Sequence, residues 1–281
     1  VFICWGELLW DLFPSGPELG GAAANVAINL QRLGATPLLV SRVGNDPLGE
    51  QALTQLARLG LNTRCIQIDP SAPTGTVEIR FIDGEPKYEI SSQAAWDQLQ
   101  FEPQQLPAPG EIEAIVYGTL AQRTELVQRS LRSLLRSRTQ ACWAVCDLNL
   151  RPPFVTREGL EEALLHADAV KMNEGELLRL GKLLGSDEPL TTLFTNYSIR
   201  VVAITRQARG CSLLDRSTQV DHPGFPRLGA GGDPVGAGDA FCAALAYHLV
   251  QGSSLSTIAE AANEHARRVA SARGAFGFVP R

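Results

Sequence analysis

Short apolar runs alternate along this chain with segments in which apolar residues recur every three or four positions. The runs at 1–4, 36–43, 114–117, 142–147, 169–172 and 200–205 each predict a buried strand. Segments 23–33, 48–59, 124–138, 157–165, 174–184, 239–251 and 255–272 predict helices, and several run into a glycine suited to a helix end. Strands alternating with helices imply an α/β fold whose mainly parallel sheet is covered on both faces. One region breaks the rhythm. Residues 76–82, the dipeptide Asp83-Gly84 and residues 85–90 read as a β-hairpin with Val77, Ile79 and Phe81 alternating. Such an insertion, taken with residues 8–13, predicts a small β lid spanning about 8–20 and 74–92. An edge hairpin, or one that pairs with its copy in a homodimer, fits the same pattern.

Composition narrows the picture. With 281 residues, 44% of them hydrophobic, residues 1–281 can bury one large core and form a single domain. The net charge of −5 provides no broad basic surface, which argues against nucleic acid or an anionic membrane and for a small soluble substrate. The six cysteines are scattered, and no histidine lies near Cys142 and Cys146, so buried reduced thiols are expected rather than bridges or zinc. No signal peptide and no run of about 18 apolar residues is evident, so the expected location is cytoplasmic.

The most distinctive stretch is Gly231-Gly232-Asp233-Pro234-Val235-Gly236-Ala237-Gly238-Asp239-Ala240-Phe241. Small residues let successive N–H groups converge on an anion, and the following helix turns its positive end toward it. Asp239 would then stand beside a phosphoryl group in transfer. No Lys-Ser or Lys-Thr closes the turn, so it is not a P-loop, and it does not follow the first strand as a dinucleotide fingerprint should. A second glycine pair, Gly20-Gly21, opens the helix that carries Asn25 and is preceded by Gly6-Glu7 and Asp11.

Taken together, Gly-Gly-x-x-x-Asn-x-Ala near the start and Asp-x-x-Gly-Ala-Gly-Asp near the end resemble the paired signatures of the ribokinase-like (PfkB-type) carbohydrate kinases. Asn173-Glu174-Gly175-Glu176 is similar to that family's Asn-x-x-Glu motif, and Thr205 with Gly210 to its nucleotide-side turn. Gly6-Glu7-Leu8-Leu9-Trp10-Asp11, Ala95-Trp96-Asp97 and Asp147-Leu148-Asn149-Leu150-Arg151 are most similar to the fructokinase-like branch. The resemblance implies a three-layer ribokinase-like fold and an ATP-dependent phosphotransferase with an alcohol acceptor. Fructose, becoming fructose 6-phosphate, is the leading substrate, with ribose, 2-keto-3-deoxygluconate and nucleosides as alternatives among which the hairpin's length and the Tyr88 and Trp96 side chains would discriminate.

Each candidate residue has a chemical task under that reading. Asp11 and Asn25 suit sugar hydroxyls, while Gly20 and Gly21 let the main chain approach the ring. Asn149 and Arg151, two residues apart at a strand end, are expected to share a face toward substrate. Gly236, Ala237 and Gly238 would offer N–H donors, and Asp239 would accept the proton of the attacking hydroxyl. On the nucleotide side stand Asn173, Thr205, Gly210, Gly236 and Gly238, with Asn263 beside adenine. Glu176, with Asn173, would hold Mg²⁺ through water, because that ion keeps several of its waters. Main-chain carbonyls of Asp233, Val235, Val269, Ala272 and Gly274 are the family's places for a monovalent cation such as K⁺. Pro234, Phe278 and the pair Arg206-Gln207 depart from the family pattern, which bears on cation affinity and nucleotide preference. A catalytically idle sugar- or nucleotide-binding regulator on the same fold is the competing class, and a nicotinamide oxidoreductase is a remote third.

Overall fold

The computed structural model describes residues 1–82, 85–226, 234–272 and 274, with the side chains of 79–88 excepted. The first half of the chain forms β1 (Phe2–Trp5), β2 (Leu9–Phe13), β3 (Gly16–Gly20), α1 (Ala22–Arg32), β4 (Pro37–Gly44) and α2 (Pro47–Arg58). It continues through β5 (Ile66–Asp69), β6 (Gly75–Ile82), β7 (Glu85–Ile90), β8 (Ala114–Gly118) and α3 (Glu125–Ser137). Next come β9 (Trp143–Asp147), α4 (Arg157–Leu165), β10 (Ala169–Asn173), α5 (Glu174–Leu184) and α6 (Pro189–Asn196). The described chain ends with β11 (Val201–Thr205), β12 (Cys211–Leu214), β13 (Gln219–His222), α7 (Ala237–Val250) and α8 (Leu255–Ala270).

These strands make a nine-stranded sheet in the order β13-β12-β11-β10-β9-β8-β1-β4-β5 and a separate four-stranded sheet in the order β3-β2-β6-β7. From β11 to β5 the large sheet is parallel throughout; β12 and β13 add an antiparallel edge. That edge is a local departure from the expected pattern. Gly210, at φ +81°, turns the chain straight back, and a side chain there would run into the carbonyl of His222. The short polar strand β13 carries no apolar run for a sequence reading to detect.

Period-two alternation sorts the sheet residues into two cores. Phe2, Cys4, Val116, Val145, Ala169 and Ala203 belong to one core, shared with α1, α7 and α8. Ile3, Trp5, Ile115, Cys146, Val170 and Ile204 belong to the other, with α3, α4 and α5. Lys171, between Val170 and Met172 on β10, is thereby turned to the α7 side with Ala169. All six cysteines are buried and free, as their apolar settings predict. No described helix is long and apolar enough to cross a membrane.

Helix α7 is apolar all round because α1, α8 and the sheet enclose it. It starts at Ala237, two residues before the expected start, with Gly236 at φ +78° as its first cap. From β1 the chain runs outward to β4 and β5, and later from β8 outward to β11. The order therefore reverses between β1 and β8, and a crevice opens beyond the carboxyl ends of the strands at such a reversal.

Candidate active site

A cavity of about 950 Å³ occupies that crevice. Its walls come from the segments that follow parallel strands: Glu7 after β1, Asn149 and Arg151 after β9, Asn173 closing β10, and Thr205 closing β11. Leu9, Asp11, Phe13, Val77 and Ile90 of the four-stranded sheet line one side, and the first turn of α7 lies at the base.

Asp239 is buried there, and Asn25 Nδ2 donates to its Oδ2 at 2.6 Å. These residues stand 214 positions apart, each in the opening turns of a helix that follows a glycine. The Oδ1 of Asn25 is buried with no partner among the described residues, an acceptor ready for a hydroxyl proton. Burial pushes the Asp239 carboxyl up from its ordinary range, opposed by the Lys171 ammonium and by the Asn25 hydrogen bond. Glu7 is likewise pushed up by burial while its Oε1 accepts from the Ala22 N–H at 3.1 Å, fixing the start of α1. Asp11 is raised to about 6 by burial and by Glu18, with Arg151 pulling the other way.

Gly20 does not line the cavity. It lies beneath Asp11, and a Cβ there would overlap the Asp11 carboxylate. Gly21 lines the cavity at φ +106°, where a Cβ would press into the Glu7 carbonyl. Gly21→Ala is therefore expected to cost at least about 1–3 kcal/mol of backbone strain, read as a lower urea midpoint, and to reduce turnover by displacing Asn25.

Asn149 and Arg151 both reach the cavity, but not by strand alternation as expected: β9 ends at Asp147 and Asn149 adopts φ +37°. The loop is held instead by hydrogen bonds from Leu148 N–H to the Lys171 carbonyl at 2.9 Å and from Leu150 N–H to Glu176 Oε1 at 2.9 Å. Glu176 Oε2 accepts from Asn173 N–H at 2.8 Å, and Asn173 Oδ1 accepts from Glu176 N–H at 2.9 Å, a reciprocal cap on α5. Each Glu176 oxygen keeps a second lone pair, so the residue fits a water-mediated metal contact as well as a capping role.

Gly236, Ala237 and Gly238 all line the cavity, and the Ala237 N–H is turned onto the Pro234 carbonyl at 3.1 Å. Thr205, Gly210 and Asn263 line the opposite end, where Asn263 Nδ2 donates to the Ala259 carbonyl at 2.7 Å and to Cys211 Sγ at 3.0 Å. Of the cation positions, Val235 is on the cavity wall, while Val269, Ala272 and Gly274 are not. Asp233, Phe278 and the Tyr88 side chain lie outside the described residues. Trp96, a candidate for discriminating the sugar ring, is fully buried against Gly75, Leu9 and Val77 and does not reach the cavity.

The model of the pfkB family carbohydrate kinases matches residues 17–280. The chain belongs to this family of carbohydrate kinases. It is 28% identical over 297 residues to the putative sugar kinase PH1459 of Pyrococcus horikoshii, spanning 96% of this chain and 90% of that one. The crystal structure of PH1459, there described as an uncharacterized sugar kinase, superposes with a TM-score of 0.84 at 27% identity, covering 98% of this chain and 93% of the other. A further structure of PH1459 is a complex with ATP, with a TM-score of 0.82 at 26% identity over 98% of this chain and 94% of that one. The fructokinase of Escherichia coli is 30% identical over 265 residues, 90% of this chain and 85% of that protein.

As a pfkB family member, the protein places its two glycine-opened helices where the family signatures meet. Several cavity residues carry no such signature. Lys171 is held at 3.0 and 2.9 Å from the two oxygens of Asp147, both residues buried. Burial lowers the Lys171 pKa, but Asp147 outweighs it and the net shift is upward, while Asp147 itself is raised to about 6 by burial against that same ammonium. The sequence signal for this pair is the lone lysine in an otherwise apolar strand, because an unpaired cation there would be costly. Arg206, Gln207 and Arg209 also line the cavity next to Thr205 and Gly210, with Arg206 and Arg209 both pairing with Glu174.

Proposed function

We propose that this carbohydrate kinase transfers the γ-phosphoryl group of ATP to a hydroxyl of a small sugar, with fructose the leading acceptor and its 6-hydroxyl the attacked group. The observation that carries the reading is the buried Asp239 carboxylate, held by Asn25 at the glycine-flanked start of α7 and facing the cavity. The ATP complex of PH1459 and the likeness to the E. coli fructokinase support donor and acceptor respectively.

In this reading the sugar lies between Asp11, Asn25, Asn149 and Arg151, whose donors and acceptors match hydroxyls that would otherwise be buried unpaired at about 1–3 kcal/mol each. Asp239 takes the hydroxyl proton as the O–Pγ bond forms and the bond from Pγ to the β-phosphate oxygen breaks, releasing ADP. The carboxylate needs no solvent molecule for this, since it already stands at the cavity base. Main-chain N–H groups of Gly236 and Gly238, with the α7 dipole behind them, stabilise the charge on the phosphoryl oxygens. Mg²⁺ bound with ATP would neutralise phosphate charge, and Glu176 is the carboxylate that would hold its waters. The four-stranded sheet acts as the lid, bringing Asp11 over the sugar and excluding water.

Sugar-dependent ADP release, measured with fructose, ribose, 2-keto-3-deoxygluconate and a nucleoside, tests the assignment. Turnover with fructose at least tenfold more efficient than with the others is expected. Equal or better use of another acceptor removes fructose; no release with any of them removes the kinase reading.

A further inference from the structure

One cation is built into the base of the cavity without a role in the scheme above. Lys171 reaches the α7 side of the sheet, is 6% exposed and lines the cavity. Asp147 accepts two of its three N–H groups. Among the described residues no other hydrogen-bond acceptor engages it. A Cβ placed on Gly238 would lie 3.1 Å from Nζ, so the ammonium abuts the backbone of the turn that starts α7. Glycine at 238 is what leaves the ammonium this room.

The charges around that point are unbalanced. Among the described residues, the carboxylates Glu7, Asp147, Glu176 and Asp239 cluster around two cations, Lys171 and Arg151. Arg151 is exposed in its loop, and Lys171 is buried. A phosphoryl group entering among four carboxylates would meet net repulsion unless a fixed cation stood at the turn. Fixed in place beside the turn, such a charge is already oriented and needs no reorganisation.

We infer that Lys171 is a further catalytic residue, its ammonium contacting the transferring phosphoryl group at the Gly238 end of the turn while Asp147 holds it in place. This rests on the kinase reading. Lys171 gives up no proton: it stabilises the charge spread over the phosphoryl oxygens while the hydroxyl proton passes to Asp239 and ADP departs. Asp147 is then a positioning residue acting through Lys171. The competing account is a structural pair that merely neutralises itself within the fold.

The two accounts separate in a cycle of Asp147→Asn, Lys171→Met and the double variant, each followed by urea denaturation and by kcat and KM for ATP and sugar. Wild type is assayed first, and its failure to turn over any sugar sinks the kinase reading rather than this inference. Lys171→Met alone orphans a buried carboxylate and destabilises the fold. The double variant, with no charge left at the pair, is expected to recover the wild-type urea midpoint. Its kcat should nevertheless stay at least about 10²-fold below wild type, with the KM for ATP changed by less than tenfold. In Lys171→Met the acid limb of kcat/KM should move to higher pH. Asp239 then loses the charge that most favours its ionised form while Glu7 and Asp147 still oppose it, leaving Arg151 and the Asn25 hydrogen bond in its favour. A double variant turning over within about threefold of wild type overturns the inference, as does Asp147→Asn falling as low as the double variant.

Discussion

Asp239→Asn is expected to lower kcat by roughly 10²–10⁴-fold, the range for losing a general base, while calorimetry still registers sugar and nucleotide binding. The amide has nearly the volume of the carboxyl group, and its oxygen can still accept from Asn25 Nδ2, which donates at 2.6 Å in the native site. What is lost is the capacity to take the hydroxyl proton. The same chemistry fixes a pH dependence. Asp239 works as a carboxylate and its pKa is raised, chiefly by burial. Turnover therefore falls as pH drops through that raised pKa, above the ordinary carboxylate range. In Asp239→Asn the residual rate should lose this acid limb. A variant with native kcat, or one whose acid limb is unchanged, would remove Asp239 from the mechanism.

Arg123→Met should destabilise the fold by about 3–5 kcal/mol, the cost of stripping a buried carboxylate of its partner, with a matching fall in the urea midpoint. Arg123 grips Asp97 with Nε and Nη2, both at 2.6 Å, and the pair is 6% and 8% exposed. Its guanidinium also stands over the rings of Phe154 and Trp96, at 4.8 and 5.1 Å from their centroids. Asp97 in turn accepts from the Ala94 N–H at 2.9 Å, so the contact anchors the segment by which the chain returns from β7 to the body of the fold. Arg123→Met/Asp97→Asn, carrying no orphaned charge, should regain much of the lost stability. If the single variant unfolds at the native midpoint, the pair contributes nothing.

Trp96 shows where reading by motif misleads. The triplet Ala95-Trp96-Asp97 is legible as a family landmark, and a tryptophan in a sugar kinase invites a role on the ring. Its position beneath Gly75 makes it core instead, and Gly75 is glycine because a Cβ there would overlap the indole. The same is true of Gly210. It was readable as part of a nucleotide-side turn, yet its close approach to the His222 carbonyl demands glycine whatever the ligand.

The sequence by itself determined the features that depend on neighbours in the chain. Most helices, the parallel α/β alternation, the hairpin at 76–90 and the glycine-opened starts of α1 and α7 follow from local periodicity and backbone freedom, and the two signatures name the family, whereas the short α6 lies outside the predicted helical segments. Only the tertiary structure decided which polar groups meet: Asn25 with Asp239 across 214 positions, Lys171 with Asp147 between adjacent strands, and Arg123 with Asp97 beneath Trp96. Strand order, and with it the place where carboxyl ends converge, is fixed by burying two apolar faces at once. That is a property of the whole sheet, so no single stretch of the chain records which charges it will bring together.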